Sequence, residues 1–138
     1  MNENEQERQQ ELIHRLRVFE QHAQNIQEQM EAVDNGINEL GLLNLGLDEL
    51  KGSAGKEMLS PLGRGIFLKA KIASEDLTMD IGGKNFVKKS IPEAKEIIEE
   101  QLDKLAAVKK ELDDNLEEIG KEMTKSLKEF QEMQEDSD

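Results

Sequence analysis

Apolar residues recur through the first third of the chain at Leu12, Leu16, Phe19, Ala23, Ile26, Met30, Val33, Ile37 and Leu40, in steps that alternate four and three. That is a period of 3.5 held over four heptads. A helix packed on a globular core shows a broader stripe near a period of about 3.6, so a narrow seam of this kind predicts a coiled coil. A second run near the other end follows Ile98, Leu102, Leu105, Val108, Leu112, Leu116, Ile119, Met123, Leu127 and Phe130, with small stutters at 108–116 and 119–127. Helices are expected over 5–50 and 92–135.

The two seams constrain one another. In an antiparallel hairpin, facing positions have residue numbers that sum to a constant, and here the constant is 142. It sets Leu12 against Phe130, Phe19 against Met123, Ala23 against Ile119, Ile26 against Leu116, Met30 against Leu112, Ile37 against Leu105 and Leu40 against Leu102. Leu16 with Leu127 and Val33 with Val108 miss by one. Asn44 falls opposite Ile98 as a polar seam residue suited to fixing register, and Leu47 and Leu50 pair approximately with Ala94 and Ile91. Such an arm rises roughly 65 to 70 Å at about 1.5 Å per residue and carries both chain ends at its tip. Gly36, Gly41 and Gly46 interrupt the first helix, each costing about 1 kcal/mol relative to alanine, and close approach of the helix to a β body is the expected reason.

Between the helices the pattern changes. Lys51 to Lys56 (KGSAGK) reads as a glycine-broken linker, and Ser60 to Gly65 (SPLGRG) as a turn. Ile66, Leu68, Ala70 and Ile72 alternate with Phe67, Lys69 and Lys71, and Leu77, Met79 and Ile81 repeat the alternation. Gly82-Gly83 supplies a second turn before Asn85 to Ser90, and Pro92 stands where a first helical turn tolerates it. Two short hairpins in succession cannot bury both of their faces, so the insert 51–90 is expected to join the hairpins of other chains in a shared sheet or barrel. Ile66, Phe67, Leu68, Ile72, Leu77, Met79, Ile81, Phe86 and Val87 are the residues expected to make that contact. The fold class is α+β: a long antiparallel two-helix coiled-coil hairpin with a central insert of two β-hairpins that joins an oligomeric β-barrel, the whole reading as one domain over 1–138.

Charge narrows the function. The net charge is −13, divided as −8 over residues 1–50, +4 over 51–90 and −9 over 91–138. Acidic helices repel phosphate backbones and anionic lipid, so neither nucleic acid nor membrane is expected as a partner. No run of 18 apolar residues occurs, the opening MNENEQERQQ has neither a basic leader nor an apolar signal region, and cysteine is absent, so a cytoplasmic location is expected. No enzyme site converges. Gly52 to Lys56 hints at a phosphate loop, but Leu50 stands at the required glycine and Glu57 at the required Ser/Thr. His14 and His22 lack a third ligand, so no metal and no cofactor is expected.

The stretch PLGRGIFLKAKI, the stretch LTMDIGGKNFVKK and the helix opening IPEAKEIIEEQLDKL together resemble prefoldin of the alpha class. Pro61, Leu62, Gly63, Gly65 and Phe67, then Ile81-Gly82-Gly83, Phe86-Val87 and Glu93-Ala94, carry the resemblance most specifically, and two hairpins fit the alpha class over the beta class. Lys84-Asn85 after the paired glycines departs from the expected smaller residues and puts local turn geometry in question. The resemblance implies a hexamer of two alpha and four beta subunits, a double β-barrel platform with six coiled coils hanging from it, and an ATP-independent holdase that captures unfolded proteins and passes them to a group II chaperonin. Holding clients requires reachable apolar surface. Leu12, Ile13, Leu16, Val18, Phe19, Leu127, Phe130 and Met133 are the candidates at the tip, Ile13 and Val18 lying off the seam, and methionine adapts its shape to varied partners. The competing reading of the tip is that its seam residues are simply buried. The competing function is a structural coiled-coil adaptor or tether oligomerised through its insert. The tail from Glu129 to Asp138 reads as an acidic, solubilising end.

Overall fold

The structure of the chain, a computed structural model, describes residues 2–136. Met1, Ser137 and Asp138, which end the expected domain and acidic tail, lie outside the described residues. In chain order the elements are α1 (Glu3–Leu50), β1 (Glu57–Gly63), β2 (Ile66–Lys71), β3 (Leu77–Gly82), β4 (Asn85–Lys89) and α2 (Ile91–Asp136). β1 pairs antiparallel with β2 and β3 with β4, giving two separate two-stranded sheets. The helices fall within two residues of where the heptads place them, and two hairpins lie between them as expected, but Ser60 to Gly63, read as part of a turn, belong to β1, and the first turn is Arg64-Gly65 alone.

Local chemistry sets the boundaries. Asn2 caps α1, its Oδ1 accepting from the Glu5 N–H at 2.8 Å. Ser90 and Glu93 form a reciprocal box at the start of α2: the Glu93 N–H donates to Ser90 Oγ at 3.2 Å, and the Ser90 N–H to Glu93 Oε1 at 3.4 Å. α1 stops at Gly52, whose φ of +73° no helix continues through, and the Ser53 N–H turns back to the Leu50 carbonyl at 3.1 Å. KGSAGK is therefore a built corner. Its Ser53 is buried, the Gly52 N–H donates to Glu75 Oε1, and the Gly55 N–H donates to the Ile72 carbonyl at 2.7 Å.

Both hairpins turn in the same way. The two-residue loops Arg64-Gly65 and Gly83-Lys84 have φ of +50° and +79°, and of +60° and +62°, the pair of left-handed residues that suits the twist of the flanking strands. Each turn is preceded by a register shift, between Pro61 and Gly63 and between Asp80 and Gly82, that frees Leu62 and Ile81 from the ladder. Lys84 at the left-handed position is thus a side chain where glycine or asparagine is commoner, and the turn closes around it.

The chain divides into two compact units. The first, the arm, joins the residues up to 35 with those from 105 onward. Its core holds Ile26, Leu112 and Ile119, with Phe19, Ala23, Met30, Val33, Leu116 and Met123 packed against them. The constant of 142 accounts for these neighbours. It also corrects the seam where apolar character misleads: Leu127 and Val108 are exposed, and the buried position opposite Leu16 is Ser126, 3 % exposed. Opposite Val33 the rule sets Lys109, half-buried, with its Nζ 2.7 Å from Asp34 Oδ1. A lysine can fill a seam position because its methylene stem covers apolar surface while the ammonium leaves it; Asp34 raises the Lys109 pKa, chiefly by that hydrogen bond.

The second unit, residues 36–104, is the base. Leu47, Ile91, Ala94 and Ile98 form its core, with Leu40, Leu50, Leu77 and Leu102 against them. Lys95 reaches Asp48, which also pairs with Lys51 at 3.3 Å, and these two cations hold the Asp48 carboxyl below its usual range, Lys95 first. Asn44 keeps its place in the seam, and among the described residues its Oδ1 is buried with no hydrogen-bond partner. Close packing does not account for two of the glycines: a Cβ at Gly41 or Gly46 would meet nothing within 4 Å, although Leu77 of β3 packs beside Leu47 on the same helix.

Candidate client and assembly surfaces

The seam of the arm sorts the candidate tip residues into two sets. Leu12 is buried, and Leu16, Phe19, Phe130 and Met133 are half-buried, as side chains at a and d positions of a paired coil must be. Ile13, Val18 and Leu127 stand one residue off the seam and are 39 %, 48 % and 46 % exposed. Arg15 lies among them. It pairs with Glu11 on its own helix and with Glu129 on the other, both at 3.8 Å, which pins the antiparallel register beside the exposed residues. Such surface pairs fix geometry more than they stabilise. The exposure of Leu127 follows from the same geometry that buries Ser126, a signal the sum of 142 carried and the search for apolar residues overrode.

The insert presents a larger apolar surface. Ile66, Phe67, Leu68, Ile81 and Phe86 are exposed, as are Met58, Leu59 and Leu62, which were not among the expected assembly contacts. Ile72, Leu77, Met79 and Val87 are half-buried, and Leu77 belongs to the core of the base. The register explains the division: Leu77 faces Lys89 and Met79 faces Val87 on the side of the second hairpin that meets the helices, while Asp80 faces Phe86 on the side that does not. The first hairpin contributes nothing to either core cluster among the described residues. An apolar groove between the helices and β3 is lined by Leu40, Leu43, Leu47, Leu77, Met79 and Ile97.

Polar chemistry is sparse. His14 and His22 are exposed, and among the described residues no group of three or more His, Asp or Glu side chains could hold a metal. Among them too, no helix is long and apolar enough to cross a membrane. What the arrangement can do is make apolar contact, at the arm through a few flanking residues and at the base through whole faces of sheet.

Comparison with known proteins agrees with the geometry. A family model described as prefoldin subunit matches residues 19–136. A prefoldin subunit alpha of Methanobrevibacter smithii is 34 % identical over 106 residues, 76 % of this chain and 68 % of that protein. The prefoldin subunit alpha 2 of Thermococcus kodakarensis is 35 % identical over 81 residues, 58 % of this chain and 57 % of that one. Among solved structures, the cryo-EM structure of filamentous PFD from Methanocaldococcus jannaschii superposes with a TM-score of 0.73 at 19 % identity, covering 84 % of this chain and 98 % of the other, and so shares its fold.

Proposed function

This chain belongs to the prefoldin family of chaperone subunits, and from that premise we propose that it is a holdase subunit that takes non-native polypeptides onto the apolar residues at the end of its arm and releases them to a group II chaperonin. The observation that carries this reading is the exposure of Ile13, Val18 and Leu127 beside a seam the chain fills with its own side chains. Residues of that kind add nothing to the coil, and they offer apolar contact without a shaped pocket, which suits varied clients. Half-buried Leu16, Phe19, Phe130 and Met133 join them where the helix ends fray. Weak contacts on several arms then add through effective concentration, provided the arms reach one client together.

Prefoldin subunits work as oligomeric complexes, and we place assembly in the insert 51–90, through Ile66, Phe67, Leu68, Ile72, Leu77, Met79, Ile81, Phe86 and Val87. The open edges and exposed apolar faces of two separate two-stranded sheets support that placement. Two copies with four beta-type subunits is the stoichiometry we propose, in the cytoplasm, without catalysis and without nucleotide. A filament of the kind named for the Methanocaldococcus jannaschii protein is the other arrangement these surfaces suit.

Deletion of residues 1–19 together with 124–138 tests the assignment. The shortened complex is expected to keep its mass while losing suppression of aggregation for several unrelated denatured proteins. Equal protection by the shortened and full complexes sinks the arm as the client site, and leaves a structural adaptor in its place.

A further inference from the structure

Within Gly36 to Leu47 (GINELGLLNLGL), Ile37 and five leucines fall on more than one side of α1, interrupted by Asn38, Glu39 and Asn44. An apolar helix face calls for cover, yet this chain's core uses only the side bearing Leu40 and Leu47. On the side away from that core, Leu42 is 70 % exposed and Leu45 62 %. Gly41 and Gly46 flank these leucines, and a Cβ built on either would meet nothing within 4 Å, so the space beside them is open. Two glycines that weaken a helix, with open space where side chains would stand, are explained by a neighbour from another chain.

The chemistry of that neighbour can be read from the rim. Glu39 and Glu49 border the leucines, neither of them ion-paired among the described residues, and residues 36–50 hold no basic side chain. The complementary surface is apolar and basic. The β1–β2 hairpin has it. The cross-strand pairs Pro61 with Phe67, Leu59 with Lys69 and Glu57 with Lys71 put those six residues on one face of the hairpin, and Met58, Ala70, Ser60 and Leu68 on the other. The second face, without charge, suits a shared sheet; the first presents Phe67 and Leu59 beside lysines. Lys69 is held by Glu57 at 3.1 Å, which leaves Lys71 free of any ion pair among the described residues.

We propose that the Leu42 and Leu45 face of α1 receives the Leu59, Phe67 and Lys71 face of the β1–β2 hairpin from a second copy of this chain. The contact rests on the reading of the insert as the assembly element and adds to it a helical seat. Because hairpin and seat are different surfaces of one chain, the contact is heterologous; it closes into a ring or symmetric pair only where geometry returns each hairpin to the other's seat, and otherwise propagates.

The test measures self-association of the full chain by sedimentation equilibrium, with helix content followed by circular dichroism. Leu42→Gln with Leu45→Gln changes residues that the chain's own core does not use, so helix content stays and association weakens at least tenfold. Glu39→Lys with Glu49→Lys weakens association as well, and adding Lys69→Glu with Lys71→Glu to that pair restores it. A wild-type chain that is monomeric at tens of micromolar, an unchanged mass for the leucine variant, or a charge swap without restoration each overturns the contact. Suppression of aggregation is read alongside. A monomeric chain that still protects denatured proteins removes the contact and spares the holdase reading, whereas a self-associating chain that protects none removes the holdase reading and spares the contact.

Discussion

The arm and the base are built from the same two helices and spend their apolar residues differently. In the arm, Phe19, Ala23, Ile26 and Met30 meet Met123, Ile119, Leu116 and Leu112, and what remains outside is a scatter of single residues, Ile13, Val18, Val108 and Leu127. In the base, outside the core around Leu47, Ala94 and Ile98, the chain leaves many apolar side chains exposed: Leu42, Leu43 and Leu45 on α1, and Leu62, Ile66, Phe67, Leu68 and Phe86 on the hairpins. Single apolar residues beside a filled seam offer weak contact to passing clients, and the broader apolar faces exposed at the base are the surface on which we place assembly.

The contrast breaks most heavily at the base core. Ile98→Asp puts an unpaired charge at a position 5 % exposed among Leu47 and Ala94, and a loss of about 4 kcal/mol is expected in urea denaturation, together with loss of assembly. An unchanged midpoint would mean that the base draws its order from elsewhere.

A smaller effect of opposite sign is expected at Asn44. Its buried Oδ1 lacks a donor among the described residues, and such a group costs about 1–3 kcal/mol, so Asn44→Leu should raise stability by about 1 kcal/mol. The amide's compensation is register: chains with leucine at 44 should show species paired out of alignment in cross-linking between the helices, where the natural chain shows one alignment. A variant both less stable and uniquely aligned contradicts the seam position.

The smallest effect separates the units by pH. Asp48 and Glu93, both in the base, have lowered pKa values, through Lys95 first for Asp48 and the Ser90 hydroxyl first for Glu93. A carboxyl whose folded pKa is depressed contributes stability that is whole above its unfolded value and lost as pH falls through the folded one. Lys109 in the arm is raised, so its contribution is whole below the ordinary lysine range and lost as pH rises through its folded value. Acid should therefore loosen the base and alkali the arm, both slightly, since the groups are solvent-accessible. Thermal melts of Asp48→Asn with Glu93→Gln should show a flatter acid limb than the natural chain, and an equally steep one would assign acid sensitivity to other groups.

Sequence pattern yielded the elements and the register because heptads and turn glycines are local signals that survive without tertiary knowledge. It failed where chemistry and geometry disagree. Leu127 and Val108 attracted the seam by being apolar, while the sum of 142 pointed to Ser126 and Lys109, and the fold follows the sum. Lys109 was illegible as a seam residue because its fitness depends on Asp34, a partner on the other helix. The glycines of α1 suggested close approach to a β body, and a Cβ at Gly41 or Gly46 would meet nothing of this chain within 4 Å; contacts between chains leave no mark in one chain's packing. Likewise, alternation alone grouped Ile81 with Leu77 and Met79, and only the register shift beside Gly82 shows it leaving the ladder.

The central claim, that the arm holds clients with residues it does not need for its own pairing, is tested most directly by Ile13→Gln, Val18→Gln and Leu127→Gln in one chain, assayed for suppression of aggregation of denatured proteins. Each substitution lies off the seam and should change stability by less than about 0.5 kcal/mol. The predicted result is a complex of full mass and unchanged melting that protects clients poorly. A complex that protects them as well as the natural one would contradict the account.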